Sequence, residues 1–127
     1  MTTALVASDD SLVLAPMDVD SAQRILGDLL LAWQSGMRQP LPIAVKTAFA
    51  WLGQTDTVKA EAAARKAYEG DGLTTNGERR ESIALARQFA DYDALTADET
   101  FFDWCDALYR PLLEASWRSL SSAEVRP

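Results

Sequence analysis

Ala22, Ile25, Leu26, Leu29, Leu30 and Trp33 recur at three- and four-residue spacing, and the run stops abruptly at Gly36, Pro40 and Pro42. A helical apolar period followed by a hard stop constrains the fold more than any other feature. It predicts an amphipathic helix, capped within Asp18 to Ser21, that ends near Gly36. In "GMRQPLPIAVKTAFAWL", residues 36–52, Gly36 is expected in the left-handed conformation that ends many helices. Pro40 and Pro42 stiffen the connection. Pro42 fits the first turn of a second helix that carries Val45, Phe49, Trp51 and Leu52 and stops at Gly53. The turn fixes the angle between two core helices, and its cations, Arg38 and Lys46, are candidate contacts to a partner.

The other segments read as more of the same class. Leu5-Val6 and Leu12-Val13-Leu14 flank Ser8-Asp9-Asp10-Ser11 and predict a β-hairpin over about residues 1–16. A hairpin alone is marginal in water, so it needs a sheet or helices behind it. "KAEAAARKAYEG" predicts a third helix from about Thr57 to Tyr68, closed by Gly70. "GDGLTTNGE" is a loop. Thr75 with Glu78 and Thr96 with Glu99 have capping-box spacing, and predict starts for a fourth helix to about Ala90 and a fifth through Phe101, Trp104, Cys105, Leu108 and Leu112. Pro111 is expected to kink or break the fifth. The expected organisation is one domain or domain fragment: a hairpin at 1–16, about five helices within 19–118, and a frayed tail at 119–127. The fold class is mainly α with a short N-terminal β-hairpin.

Chemistry is scarce. The 127 residues include no histidine, which removes the usual residue of nucleophilic triads, His-based acid/base work and most zinc sites. One cysteine, Cys105, allows no internal disulfide and fits a reducing, cytoplasmic setting. It lies in an apolar stripe and reads as a buried small hydrophobe. No apolar run is long enough for a membrane span, and no export signal opens the chain. The net charge of −7 argues against free-standing nucleic-acid binding.

Carboxylates pair up at Asp18/Asp20, Glu69/Asp71, Asp91/Asp93 and Asp103/Asp106, and could in principle hold Mg²⁺. Capping and solvated roles are favoured for all four. An acidic residue two positions before a lysine, which a restriction-type metal nuclease needs, is absent before Lys46, Lys59 and Lys66. The residues therefore assign no catalytic, cofactor-binding or metal position. Four tryptophans are many for this length. Trp33 and Trp104 fall on apolar stripes and are expected in the core. Trp51 and Trp117, near helix ends, are candidates for a partner surface. Residues alone point to a mainly helical, non-catalytic module with an interaction surface; the alternatives are a free-standing helical adaptor and, behind it, a metal-dependent nuclease using the acidic pairs.

"LLLAWQSGMRQPLPIAVKTAFAWL", then "AARKAYEG", a glycine-bearing loop, "ALARQF" and "LYRPLL" resemble the C-terminal region of the RecC family, over about residues 10 to 115. The carriers are Gly36-Met37, Pro40-Leu41-Pro42 and Ala67-Tyr68-Glu69-Gly70. RecC is the gamma subunit of exodeoxyribonuclease V, the bacterial RecBCD helicase–nuclease. The resemblance implies the helical part of a catalytically dead restriction-nuclease-like (PD-(D/E)xK-type) domain. It implies a scaffold without cofactor, contacting RecB-like and RecD-like subunits and meeting DNA only within the assembled complex, in double-strand break repair and recombination. It also implies an excised domain, since RecC itself is far longer.

Overall fold

The computed structural model describes residues 3–6, 11–115 and 117–119, and of Thr3, Ser11, Leu12 and residues 117–119 only the backbone. Alternating apolar residues build strands β1 (Thr3–Val6) and β2 (Ser11–Leu14), paired antiparallel with Ala4 opposite Val13. The expected turn at residues 8–10 lies outside the described residues. A third strand, β3 (Trp117–Ser119), pairs antiparallel with β2 on its other edge, with Leu14 opposite Trp117. Helix was expected as far as residue 118. Instead the hairpin gains the third strand that a two-stranded ribbon needs. Residues 120–127, the rest of the expected tail, lie outside the described residues.

Helix α1 (Val19–Gly36) is the 18-residue helix that the apolar period predicts. Asp18 caps it, its carboxylate accepting from Ser21 N at 2.9 Å. Gly36 is its last helical residue and Met37 continues with right-handed backbone (φ −71°), so the left-handed stop expected at Gly36 does not form. Pro42 is buried in the connection, and α2 (Val45–Leu52) starts three residues later than Pro42 would place it. Its cap residue, Ala44, has no side-chain acceptor. The acceptor comes from far along the chain. Glu78, itself buried, receives Lys46 N at 3.1 Å, Thr47 N at 2.9 Å and Thr47 Oγ1 at 2.9 Å. A carboxylate at a helix N-terminus both satisfies orphan N–H groups and complements the helix dipole.

Helix α3 (Thr57–Glu69) begins at Asp56, which accepts from Val58 N and Lys59 N, and ends at Gly70 with φ +81°, where Gly70 was expected to close it. Ala60, Ala64 and Tyr68 lie four residues apart on one face and are buried against α2. Small residues there let two helices approach closely. Beyond α3 the backbone doubles back on itself. A Cβ on Gly77 (φ +75°) would sit 2.4 Å from the Glu69 carbonyl carbon, and one on Gly70 would sit 2.3 Å from Thr75 O. Only glycine fits either place. Asp71 gathers this loop, accepting from Leu73 N, Thr74 N, Thr75 N and Thr74 Oγ1 at 2.7 to 3.0 Å. These donors hold its carboxyl well below the usual carboxylate range, Thr75 N foremost.

The fourth helix is broken in two, α4 (Glu78–Glu81) and α5 (Ile83–Gln88). Ser82 sits between them in extended backbone, and its hydroxyl receives Leu85 N instead of continuing the helix. Neither capping box forms: α4 starts at Gly77, and Thr96 Oγ1 donates back to Tyr92 O at 2.9 Å. A short α6 (Tyr92–Leu95), capped by Asp91, precedes α7 (Thr100–Trp104). The chain then widens into a π-helical turn (Cys105–Tyr109) and returns to α8 (Arg110–Glu114). Proline 111 lacks an N–H to give. The preceding turn accommodates this by widening rather than by a break.

Ala44, Ala48, Ala64, Tyr68, Tyr92, Leu95, Phe101 and Cys105 form the core, with Trp51, Leu52, Phe89, Phe102 and Tyr109 packed around them. Tyr68 donates its hydroxyl to Phe89 O at 2.5 Å. Burial pushes the Cys105 thiol up to about 12, consistent with the packing role expected of it and unlike a thiolate nucleophile. Helix α1 contributes only Ala32 to the buried residues.

Candidate protein-docking face

The inner side of α1 is made of Ser21, Ala22, Ile25, Asp28, Ala32 and Ser35, which are buried or half-buried. They face the π-helical turn across a groove of about 330 Å³ lined by Arg24, Asp28, Asp106, Arg110 and Pro111, among others. On the opposite side stand Val19, Leu26, Leu30, Trp33 and Met37. Their spacing of seven, four, three and four positions is that of one helical seam. All five are exposed: Leu30 by 62%, Trp33 by 63% and Met37 by 72%. Leu29 widens the seam on one flank.

Trp33 was expected in the core. It stands in solvent because α1 turns a mostly small-residue side inward, with Ile25 its one large apolar residue, and Leu26, Leu30 and Trp33 outward. Trp51, expected at a partner surface, instead packs on Phe102 with ring centroids 4.5 Å apart. Trp104 is half-buried, and its indole N–H has no hydrogen-bond partner among the described residues. Of Trp117 only the backbone is described, in β3. Arg38 is exposed just past the end of α1 and has no ion pair among the described residues. Lys46 is exposed on α2 and bound to Glu81, which raises its pKa. The seam and Arg38 therefore border each other, whereas Lys46 and Trp51 belong to α2.

The acidic pairs are spread over structural duties. Asp18 and Asp91 cap helices, and Asp71 ties the glycine loop. Glu69 accepts Tyr92 N at 2.9 Å, Asp93 binds Arg65 at 2.6 Å, and Asp106 binds Arg110 at 2.7 Å. Arg65 also lies over the Tyr92 ring, 4.7 Å from its centroid. Among the described residues no three acidic or cysteine side chains are gathered as a metal site would require, and no helix is long and apolar enough to cross a membrane.

Sequence reasoning found the apolar period of α1 but not its direction. The signal was present: Ile25 and Ala32 fall on the side opposite Leu26, Leu30 and Trp33, so apolar residues occupy two faces. A helix apolar on two faces is covered on both.

No curated protein and no solved structure matches the chain. A family model described as the RecC C-terminal domain matches residues 3–56, the stretch that includes the seam, Arg38, the Pro-Leu-Pro connection and α2. The Ala-Tyr-Glu-Gly segment at residues 67–70 lies beyond the match. There the structure gives each residue a packing duty: Tyr68 in the core, Glu69 on Tyr92 N, Gly70 at the backbone crossing. Residues 3–56 match the RecC C-terminal domain, and they bear the exposed apolar seam of this protein.

Proposed function

We propose that this chain is a non-catalytic interaction module of a RecC-like subunit, and that the outward seam of α1 is the surface it gives to its assembly. The observation that carries this is the coincidence of the family match with the exposed apolar face of α1. Apolar faces of this extent on a soluble protein mark interaction sites, and Trp33 at the centre has the residue type that anchors interfaces. The assembly is of the RecBCD type, a DNA helicase–exonuclease of double-strand break repair and recombination. RecB-like and RecD-like subunits are the partners, and DNA is met within the complex. The helical part corresponds to that of a restriction-nuclease-like domain without its catalytic residues. Arg38 is the charged contact at the edge of the seam. Trp117, Lys46 and Trp51 rank behind it, the last two because Glu81 and Phe102 already engage them.

Co-expression with the RecB-like subunit tests this reading. The two should co-elute, and Leu26→Glu/Leu30→Glu should lower the affinity by about a hundredfold, since charge on a buried apolar contact costs several kcal/mol. Arg38→Glu should weaken assembly by about tenfold and leave the melting temperature unchanged, because reversed charge acts on association more than on folding. Assembly unaffected by both variants would overturn the docking face. Mg²⁺-dependent DNA cleavage that vanishes in Asp91→Asn/Asp93→Asn would overturn the non-catalytic role.

A further inference from the structure

Four cations of this protein are held by carboxylates: Lys46 by Glu81, Arg65 by Asp93 and Glu69, Lys66 by Asp71, and Arg110 by Asp106. Arg79, Arg80 and Arg87 differ. Among the described residues none of the three has a carboxylate partner, although acids stand beside them in sequence. Each of those acids is engaged elsewhere. Glu78 points inward to the α2 N-terminus, Glu81 binds Lys46, and Asp91 caps α6. In a chain of net charge −7, this leaves a local concentration of uncompensated positive charge.

The three arginines line one open groove across α4 and α5, about 640 Å³ in volume, whose other walls are Ile83, Ala86 and Ala90. Arg79 Nη1 donates to Ala90 O at 2.8 Å, so one rim of the groove is held in place and keeps its full charge. Arg80, beside Arg79 in α4, and Arg87, across the Ser82 break in α5, are both exposed. Ile83 between them is 69% exposed.

We propose that this groove docks an acidic segment of a partner protein that presents apolar side chains between its carboxylates. Charge complementarity selects the acid: guanidinium forks pair carboxylates through two parallel hydrogen bonds. The floor selects protein over nucleic acid. Ile83, Ala86 and Ala90 offer an aliphatic surface to a leucine or methionine, and among the described residues no aromatic side chain lines the groove to stack a base. Three cations also match the two or three carboxylates of a short segment, whereas a nucleic-acid backbone recruits more contacts than these and would feel the repulsion of the remaining molecule. This surface lies outside residues 3–56 and is independent of the α1 seam.

The whole chain is titrated with a fluorescein-labelled helical peptide of glutamate and leucine, with the same peptide carrying lysine for glutamate, and with oligothymidylate. The glutamate peptide should bind and the lysine peptide should not. Arg80→Glu/Arg87→Glu should weaken the glutamate peptide by at least about tenfold, and Ile83→Ser by a few-fold, as for loss of an exposed apolar contact. Arg80→Lys/Arg87→Lys should lose less than the charge reversal, because charge is kept and only the fork is lost. These side chains are exposed, so a thermal melt should find each variant folded. No binding of the glutamate peptide, equal binding by the charge-reversed variant, or tighter binding of oligothymidylate than of the peptide would each overturn the proposal.

Discussion

Glu78 and Gly77 stand side by side and answer to opposite requirements. Glu78 supplies the cap that Ala44 cannot, across 31 residues of chain, and Gly77 lets that carboxylate reach its place by allowing two backbones to touch. Removing the acceptor leaves Lys46 N, Thr47 N and the Thr47 hydroxyl without it. Glu78→Ala should therefore cost about 2–3 kcal/mol, the range for hydrogen bonds to a charged group, and Glu78→Gln less, both read from urea midpoints. Alkali should act on a second pair of residues. Burial raises Tyr92 from 10.0 to about 12 and Cys105 from 9.0 to about 12. Both groups are held neutral in the fold, so unfolding at high pH releases protons. Their contribution is complete below about pH 9 and is lost as pH rises towards 12. Melting temperatures should fall across that window, and Cys105→Ala should flatten the fall. A Tm that held constant to pH 12 would contradict the burial of both groups. The burial of Cys105 was legible in its apolar stripe, but the roles of Glu78, Gly77 and Tyr92 were not, because each depends on a neighbour distant along the chain.

Among the elements, legibility followed locality. The α1 period, the Asp18 cap, the Gly70 stop and the strands β1 and β2 depend on residues within a few positions, and each lies where the sequence puts it. What required a distant partner was missed: the start of α2, the third strand, and the outward side of α1. The Thr75 and Thr96 caps failed for a related reason, since the glycine crossing and the Tyr92 carbonyl took those segments first. Gly36 offers the sharpest test of this account. Its backbone is right-handed helix, and a Cβ there would lie 3.6 Å from Leu41 Cδ1, an ordinary contact. Gly36→Ala should be neutral or stabilise by up to about 1 kcal/mol, by restricting the unfolded chain. A large loss in the thermal melt would restore the left-handed stop. Gly77→Ala, by contrast, has no room for its methyl group.

At the level of the whole molecule, the body and its surfaces divide the chain. The core is built by α2, α3, α6 and α7, while α1 and the α4–α5 groove lie outside it with their apolar or cationic side chains turned to solvent. A core that takes none of α1's large side chains leaves that helix face for another protein to cover. The site was half legible for the same reason: Arg38 and the glycine–proline turn were visible as an exposed connection, but which side of α1 faced outward was decided by the rest of the fold. The strand β3 carries one more consequence. It joins residues from the end of the chain to β2, near its beginning. On a ribosome, β2 emerges with one edge open and keeps it open until all the helices between Leu14 and Trp117 have followed. Closing so long a loop costs several times RT before any ladder bond forms, so the sheet should be the last part of the molecule to assemble and the first to give up deuterium protection.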